Sequence, residues 1–515
     1  MAILVTRTIA AFLALAALLA SGRAESAPAS PAPPPPPLVI PQPKRLMVQG
    51  PPLRLDATAQ LVVADDATAE DKLPAETVRR ELATRFGLPL PIVRAARANP
   101  AAVRVVFGEP RRMPLAARLL RLTGTAAPSR PEGYAIQVGT SWLVVAGHDP
   151  AGTFYGAQTL CQLLGRDTGG AFVPAAQVDD YPTLPWRGAH LFLGNEALPF
   201  HEKLIARVFA RFKMNNLVLE CEQAKWDTLG PHVPAWAMPK SALRREVAFA
   251  RRYHMAVTPL VESVGHMQWL LHDLAYRDLA EDPQTPYAVG PANSQTYDLL
   301  FRLYDEVEDT FHAPVFCIGG DEVTEHGRYP FRSRGRYPTA ADAYVAHVTR
   351  LHNYLKAQGV RTMLWGDMLL ARGEAPGDAN APSLAAAQWM RARLPKDILI
   401  ADWRYAGGDD FASPQVFQSA GFGPVLGATF YDTRAIARFA QSLAATHQEG
   451  LLQTTWAGYN SSEKALLQYR RQFVAFILAA EYAWSGRATP PEQLPYDPDR
   501  VFTAAYGTPN FTPNF

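Results

Sequence analysis

Residues 315–323 read VFCIGGDEV. The first four residues form a short apolar run that is typical of a buried parallel strand, and the two glycines after it allow a sharp turn. Asp321 and Glu322 follow at once. Because neighbouring side chains on an extended strand point to opposite faces, both carboxylates reach one pocket only if the chain bends at the glycines. The alternative is a helix amino terminus, where the helix dipole favours acidic residues.

Seven further apolar runs of similar length accompany this stretch, and longer segments separate them. Between the fourth and fifth runs, Tyr344, Val348, Leu351 and Leu355 recur at helical spacing. Eight strands with helical crossovers over about 300 residues predict an α/β fold, a (β/α)8 barrel, for residues 181–490, with a doubly wound open sheet as the alternative. The other runs are GAHLFLG (188–194), NLVLEC (216–221), AVTPLVE (256–262), TMLWGD (362–367), ILIADW (398–403), PVLGATF (424–430) and LLQTTW (451–456).

A smaller α+β domain is predicted for residues 45–180, ahead of the barrel. AAVRVVFG (101–108) has the composition of a strand. Residues 134–138 and 142–146 flank a Gly-Thr-Ser turn and predict a hairpin, and a helical pattern follows Asp149. Strands and helices are therefore mixed in this domain.

The two ends of the chain have their own patterns. Arg7 precedes an apolar run at residues 9–20, which is too short to span a bilayer, and small residues follow. Residues 1–24 therefore predict a signal peptide and export to the periplasm or the medium, with a retained membrane anchor as the alternative. Residues 25–44 are rich in proline and predict an extended linker. Residues 491–515 are interpreted as a C-terminal tail. No later segment has the length and apolarity of a membrane span.

The composition excludes several classes of protein. Of the 515 residues, 48% are hydrophobic and 19% are charged, which is typical of a globular protein. The net charge of +2 gives no reason to expect a nucleic-acid partner. Three cysteines do not form a disulfide framework, so buried thiols are expected. We find no zinc-protease spacing, nucleophile elbow or phosphate-binding loop, and we predict neither a metal nor an organic cofactor.

Polar and aromatic side chains follow six of the predicted strands. In a barrel of this kind, functional residues lie at the carboxyl ends of the strands. A tryptophan can contact the apolar face of a sugar while its N–H bonds outward, so tryptophans beside carboxylates favour a sugar site, although each one could instead pack in the core. The residues are Glu220 and Glu222, Glu262 and His266, Asp321 and Glu322, Trp365 and Asp367, Trp403 and Tyr405, and Trp456.

The letters GGDE also belong to the GGDEF signature of diguanylate cyclases, where they lie on a hairpin that binds nucleotide and metal. That hairpin needs a second apolar strand after the motif. Here residues 324–330 are polar and end in proline. The continuation and the predicted export therefore argue against a nucleotide enzyme.

The chain resembles the β-N-acetylhexosaminidases of glycoside hydrolase family 20 over roughly residues 45–485. The finer likeness is to the hexosaminidase D-like branch, in VLECE (218–222) and PLVESVGHMQWLL (259–271). The chain departs from the main branch there, and it has Trp-Ala-Gly-Tyr at 456–459 in place of the usual W-x-E. The other similar segments are PEGYAIQV (131–138), AGTFYGAQTLCQLL (151–164), DDYPTLPWRG (179–188), IGGDEV (318–323) and YAWS (482–485).

This resemblance implies a retaining exo-enzyme that removes terminal β-linked N-acetylglucosamine or N-acetylgalactosamine from a glycan. It implies that Glu322 is the general acid and base, and that Asp321 orients the 2-acetamido group, whose oxygen attacks the anomeric carbon. A non-catalytic glycan-binding protein and a disaccharide-releasing glycosidase are the alternatives. The implied substrate-binding residues are Arg187 for sugar hydroxyls, Tyr405 for the acetamido group, Trp365, Trp403 and Trp456 as a box around it, and Glu222, His266 and Asp367.

Overall fold

The computed structural model describes residues 37–323, 336–375, 378–406, 408 and 411–507. The predicted signal peptide and most of the predicted linker lie outside these residues. None of the helices in the described ranges is both long and apolar enough to cross a membrane. All three cysteines are buried as free thiols.

The small domain contains two sheets in the described part of the chain. A mixed seven-stranded sheet has the order β1-β10-β6-β7-β5-β3-β4, and β2, β9 and β8 form a second sheet. The predicted hairpin is present as β6 and β7. The strands are β1 (Arg45–Val48), β2 (Leu53–Leu55), β3 (Gln60–Val63), β4 (Ile92–Arg94), β5 (Arg104–Phe107), β6 (Tyr134–Val138), β7 (Trp142–Gly147), β8 (Gly165–Asp167), β9 (Gly170–Val173) and β10 (Ala176–Asp180), and the helices are α1 (Ala69–Phe86), α2 (Pro114–Leu122) and α3 (Pro150–Leu163).

Eight parallel strands then close into a barrel within the described residues, because β11 pairs with both β12 and β18. Every predicted barrel strand is present, so the barrel prediction is confirmed and the open sheet is wrong. The strands are β11 (Trp186–Phe192), β12 (Asn216–Glu220), β13 (Ala256–Leu260), β14 (Val315–Cys317), β15 (Arg361–Trp365), β16 (Leu399–Trp403), β17 (Leu426–Thr429) and β18 (Gly450–Gln453).

Helices surround the barrel. The first continues into a π-helical turn at Ile205–Phe209, and the predicted helix between the fourth and fifth strands is α8. The helices are α4 (Ala197–Leu204), α5 (Lys240–Arg252), α6 (Gln268–Leu271), α7 (Ser294–Phe311), α8 (Ala340–Ala357), α9 (Leu384–Arg393), α10 (Ser413–Ser419), α11 (Thr433–Ala445), α12 (Glu463–Gln468), α13 (Arg470–Ser485) and α14 (Pro498–Tyr506).

The barrel interior is a packed apolar core rather than a channel. Trp186, Val218, Leu260, Cys317 and Met363 belong to one buried cluster to which all eight strands contribute. Because strand side chains alternate between the two faces, the residue after Trp186 points out of the barrel. That residue, Arg187, therefore lies outside the packed interior.

The folded unit extends beyond the predicted domain bounds at both ends. Val39 and Ile40 are buried, although they lie in the predicted linker. In the predicted tail, α14 buries Phe502 and Tyr506, and Tyr506 contacts Phe200 of α4 edge-on. Apolar side chains at these positions therefore join the core.

Candidate active site

The turn after β14 has a backbone that requires glycine. Gly319 and Gly320 have φ values of 66° and 89°, in the left-handed region. A Cβ atom on Gly319 would lie 1.9 Å from Oε2 of Glu262, so no larger residue fits. The bend turns the carboxyl groups of Asp321 and Glu322 into the same cavity. This is the arrangement that the two glycines predict.

Hydrogen bonds from three other barrel segments hold this turn. Glu262, after β13, accepts the N–H of Gly320 at 3.2 Å. Asp367, after β15, accepts the N–H of Glu322 at 3.0 Å. The hydroxyl of Tyr287 donates to the carbonyl oxygen of Glu322 at 2.6 Å. The main chain of the two acids is therefore fixed on both sides.

A cavity of about 610 Å³ opens at the carboxyl ends of the strands. Its size is within the range of small-molecule sites. Its titratable lining residues are His266, Asp321, Glu322, Asp378 and Asp432, beside Tyr405 and Tyr431. Its aromatic lining residues are Trp365, Trp403, Tyr405, Phe430, Tyr431 and Trp456.

His266 pairs with both acids of the turn. Its Nε2 lies 3.3 Å from Oε2 of Glu322 and 3.7 Å from Oδ2 of Asp321. Burial favours the neutral imidazole, but the hydrogen bond to Glu322 and the charges of both acids outweigh burial and raise the pKa of His266 to about 9. The same hydrogen bond lowers the pKa of Glu322. Near neutral pH the proton of this pair therefore rests on His266.

Two buried polar atoms of the cavity wall have no partner among the described residues. They are Oδ1 of Asp321 and Nε1 of Trp365, whose side chain is only 1% exposed. Burial raises the pKa of Asp321, His266 opposes that rise, and Glu322 adds to it. Since buried polar groups are nearly always hydrogen-bonded, these atoms mark places where a ligand would bond.

Three glutamates lie behind Asp321. Glu220 contacts Nε2 of His190 at 3.1 Å, and Glu222 accepts the N–H of Glu262 at 3.0 Å. Burial raises the pKa of Glu220 to about 7, and it raises the pKa of Glu222 and Glu262 well above the usual value. Glu222 is buried and does not line the cavity, so its predicted contact with the sugar is wrong. It supports the strand end instead.

Asp367 has a similar supporting position. Besides the N–H of Glu322, its carboxylate accepts Nδ2 of Asn380 at 2.8 Å and Nε1 of Trp403 at 3.3 Å. Burial, with the nearby charge of Asp321, raises its pKa to about 7. It is buried and lies outside the cavity lining, so the structure corrects its predicted contact with the sugar. Asp367 instead orients Glu322 and Trp403.

Arg187 lies at the other end of the barrel, and its predicted role in the pocket floor is wrong. It is the second residue of β11, where Trp186 faces inward and Arg187 faces outward to the small domain. Its guanidinium pairs with Glu132 at 2.7 Å, donates to the carbonyl oxygen of Lys213 and lies 5.0 Å from the ring of Trp484. It joins the two domains and does not line the cavity.

The structure brings the predicted aromatic residues together. Trp365, Trp403, Tyr405 and Trp456 line the cavity, and Nε1 of Trp456 donates to the hydroxyl of Tyr405 at 3.0 Å. The contact of Tyr405 with an acetamido group stays a prediction.

Five lining residues were not predicted from the sequence: Asp378, Ala406, Phe430, Tyr431 and Asp432. Phe430 ends the seventh strand run and Tyr431 and Asp432 follow it, so the same aromatic and acidic pattern at other strand ends could have revealed these three. Asp378 lies far along the loop after β15, where no local pattern points to it.

Within the described ranges, His266, Asp321 and Glu322 form a group that could hold a cation, with ligand atoms within 4.8 Å of one another. His266 contacts both carboxylates. The arrangement suits proton transfer, since a base, an acid and their shared proton lie on one wall.

Models of known families match both parts of the chain. The model of glycosyl hydrolase family 20, domain 2, matches residues 36–181, and that of the family 20 catalytic domain matches residues 223–415. The chain belongs to glycoside hydrolase family 20. The two matches correspond to the small domain and to the part of the barrel that contains β13 to β16.

Curated relatives of this family 20 chain are distant. A lacto-N-biosidase of Bifidobacterium bifidum is 24% identical over 290 residues, which are 54% of this chain and 24% of that protein. A beta-hexosaminidase of Porphyromonas gingivalis is 26% identical over 239 residues, 38% of this chain and 30% of that protein. The matched region spans less than a third of either relative.

Solved structures show the same fold. The β-N-acetylhexosaminidase of Streptomyces coelicolor has a TM-score of 0.67 at 18% identity, covering 91% of this chain and 95% of that one. The chitobiase of Flavobacterium johnsoniae has a TM-score of 0.67 at 16% identity, covering 91% and 72%. The family 20 architecture therefore holds along both domains.

Proposed function

We propose that this family 20 chain is a retaining exo-β-N-acetylhexosaminidase that removes terminal β-linked N-acetylglucosamine or N-acetylgalactosamine. The observation that carries the proposal is the adjacent pair Asp321 and Glu322 on one wall of an aromatic cavity, with His266 bound to Glu322. Family 20 enzymes are an exception to the two-carboxylate mechanism, since the substrate supplies its own nucleophile.

In the first step, Glu322 gives its proton to the glycosidic oxygen as the bond from that oxygen to the anomeric carbon breaks. The acetamido oxygen of the substrate attacks the same carbon and closes an oxazolinium ring. Glu322 must therefore be protonated when the substrate is bound. His266, at 3.3 Å, holds a proton that it can return to Glu322.

Asp321 acts on the other side of the same carbon. Its free Oδ1 accepts the acetamido N–H, which orients the nucleophile, and its negative charge stabilises the cationic ring. In the second step water attacks the anomeric carbon, its proton goes to Glu322, and the acetamido group is restored. Two displacements at one carbon retain the configuration.

The direct experiment is hydrolysis of nitrophenyl β-glycosides of N-acetylglucosamine and N-acetylgalactosamine. We expect the wild type to release nitrophenol, and Glu322→Gln to be slower by about 10²–10⁴-fold, the usual size of general acid catalysis. Glu492→Gln, at an exposed side chain outside the cavity, is the matched control and should keep the wild-type rate. A wild type that binds glycans but cleaves neither substrate would support the non-catalytic alternative.

A disaccharide-releasing glycosidase is the second candidate. It is favoured by the relative named as a lacto-N-biosidase, and by the absence of the W-x-E acid after β18, where Ala457 and Gly458 follow Trp456. An acid at that place would close the pocket around the outer hydroxyls of one sugar. A faster release of nitrophenol from a β-linked disaccharide than from the N-acetylglucosaminide would select this candidate.

We also propose that the chain is exported, to the periplasm or the medium, and that it belongs to the hexosaminidase D-like branch. Export is supported by Arg7 and the apolar run at 9–20, and the branch by VLECE at 218–222. Sequencing the amino terminus of the protein from each cell fraction tests export. Cleavage near Ala24 supports a signal peptide, and an intact terminus in the membrane fraction supports the anchor.

A further inference from the structure

The cavity carries more negative charge than the proposed chemistry uses. Its described lining contains four carboxyl groups and one basic side chain, His266. His266 is taken up by Asp321 and Glu322, which lie within 3.7 Å of it. Asp378 and Asp432 remain on the wall without a role in the reaction.

Among the described residues, Asp378 forms no ion pair. The guanidinium of Arg404 donates to the main-chain carbonyl oxygen of Asp378 at 2.9 Å. Its charge is paired with the carboxylate of Asp402 at 2.8 Å. Burial raises the pKa of Asp378, Arg404 opposes this and Glu322 adds to it. A positive group placed in the cavity would therefore be attracted by a carboxylate that the described protein does not neutralise.

Asp432 is in the same situation. One carboxylate oxygen caps α11 by accepting the N–H of Arg434, whose guanidinium turns away to Glu492 at 3.7 Å. Arg471 lies 4.8 Å from the ring centre of Tyr431, and within the described part of the chain it forms no ion pair with Asp432. Asp432 and Tyr431 both line the cavity.

We propose that the preferred substrates carry a protonated amine on the sugar at the leaving-group side of the scissile bond, where Asp378 and Asp432 pair with it. This inference rests on the proposed function. The amine cannot belong to the terminal sugar, because its nitrogen is acetylated and bound by Asp321. The unpartnered Nε1 of Trp365 independently marks the cavity as a ligand site.

The expected preference for the cationic over the neutral substrate is small. An ion pair of a partly exposed carboxylate contributes little to binding and weakens with salt. Two such pairs predict a kcat/KM about 3- to 10-fold higher for the cationic substrate at low salt. The preference should shrink toward one as salt is raised, because the charges are screened.

The experiment compares three disaccharides with an N-acetylglucosaminyl residue β1,4-linked to glucosamine, to glucose or to N-acetylglucosamine. Glucose is the neutral match in size, so the glucosamine-to-glucose ratio of kcat/KM isolates the charge. We expect this ratio to fall toward one in Asp378→Asn and in Asp432→Asn, where asparagine keeps the helix cap. Asp497→Asn, the same change at the cap of α14, should leave the ratio unchanged.

The charge preference and the proposed hydrolysis can fail separately. A wild-type ratio of one or less at low salt, or a ratio kept in both cavity variants, overturns the charge preference while hydrolysis itself stands. If the wild type cleaves neither the disaccharides nor the nitrophenyl glycosides, the proposed function fails and takes this inference with it.

Discussion

At the scale of single residues, the neighbouring acids Asp321 and Glu322 differ in the direction of their pKa shifts because their contacts differ. Glu322 accepts a hydrogen bond from His266, which lowers its pKa, whereas burial raises the pKa of Asp321. The sequence shows two carboxylates side by side but not which one will hydrogen-bond to the imidazole of His266. His266 itself follows a predicted strand, so its presence in the cavity could be predicted. Its hydrogen bond to Glu322 could not, because the two residues follow different strands.

His266→Asn tests the shared proton. In the wild type the proton of the His266–Glu322 pair is lost near the raised pKa of His266, about 9, so activity should extend into the alkaline range. Without the imidazole only the carboxyl of Glu322 holds that proton, and a carboxyl releases it at lower pH. The alkaline limb of kcat/KM should therefore move to lower pH, with activity near neutrality reduced about 10- to 100-fold. An alkaline limb that stays in place would contradict the proton role of His266.

At the scale of elements, the active-site turn depends on what lies behind it. Gly319 is required by its φ value and by the carboxylate of Glu262, and the sequence indicates the first requirement only. Glu262 belongs to the third strand run, whose approach to the fourth strand is a property of the closed barrel.

Gly319→Ala should inactivate the enzyme and lower its stability, because the new Cβ displaces Glu262 and breaks its bond to Gly320. Gly359→Ala is the matched control, since Gly359 also has a positive φ, of 77°, but has open space around it. We expect Gly319→Ala to cost about 1–3 kcal/mol more free energy of unfolding than the control. Denaturant unfolding measures the stability of the two variants, and nitrophenol release measures their activity. Equal losses in the two variants would mean that the contact with Glu262 is unimportant.

The barrel strands and their ends could be predicted because apolar runs and the residues after them are local signals. Glu222, Asp367 and Arg187 show where this reasoning stops. Each lies on or after a barrel strand, yet none of them lines the cavity, because the direction of a side chain depends on strand alternation and on the residues packed against it. Asp378 could not be predicted, since a loop brings it back to the cavity.

At the scale of the whole molecule, buried charges join the small domain to the amino end of the barrel. Arg187 pairs with Glu132, and Lys213 pairs with Asp180 at 3.2 Å with both side chains fully buried. The nitrogen of Trp484 also donates to Asp180 at 2.9 Å. These contacts connect residues far apart in the chain, so they could not be predicted from local sequence patterns.

Arg187→Met separates this structural role from the sugar contact that the sequence suggested. Removing the guanidinium leaves the partly buried carboxylate of Glu132 with the amide of Asn215 as its remaining side-chain donor, and we expect a loss of about 1–3 kcal/mol in the free energy of unfolding. The folded fraction should keep the wild-type KM, because the cavity is at the opposite end of the barrel. A raised KM with unchanged stability would instead place Arg187 at the substrate.

The central claim is that Asp321 holds the acetamido group while that group attacks. Calorimetric binding of an N-acetylglucosamine thiazoline, a stable mimic of the oxazolinium ring, to the wild type and to Asp321→Asn tests it most directly. We predict that the wild type binds the thiazoline more tightly than N-acetylglucosamine, and that Asp321→Asn loses about 10-fold or more of this affinity because the buried charge is gone. A wild type that hydrolyses the nitrophenyl glycoside but does not bind the thiazoline, or equal binding by both proteins, would contradict the mechanism.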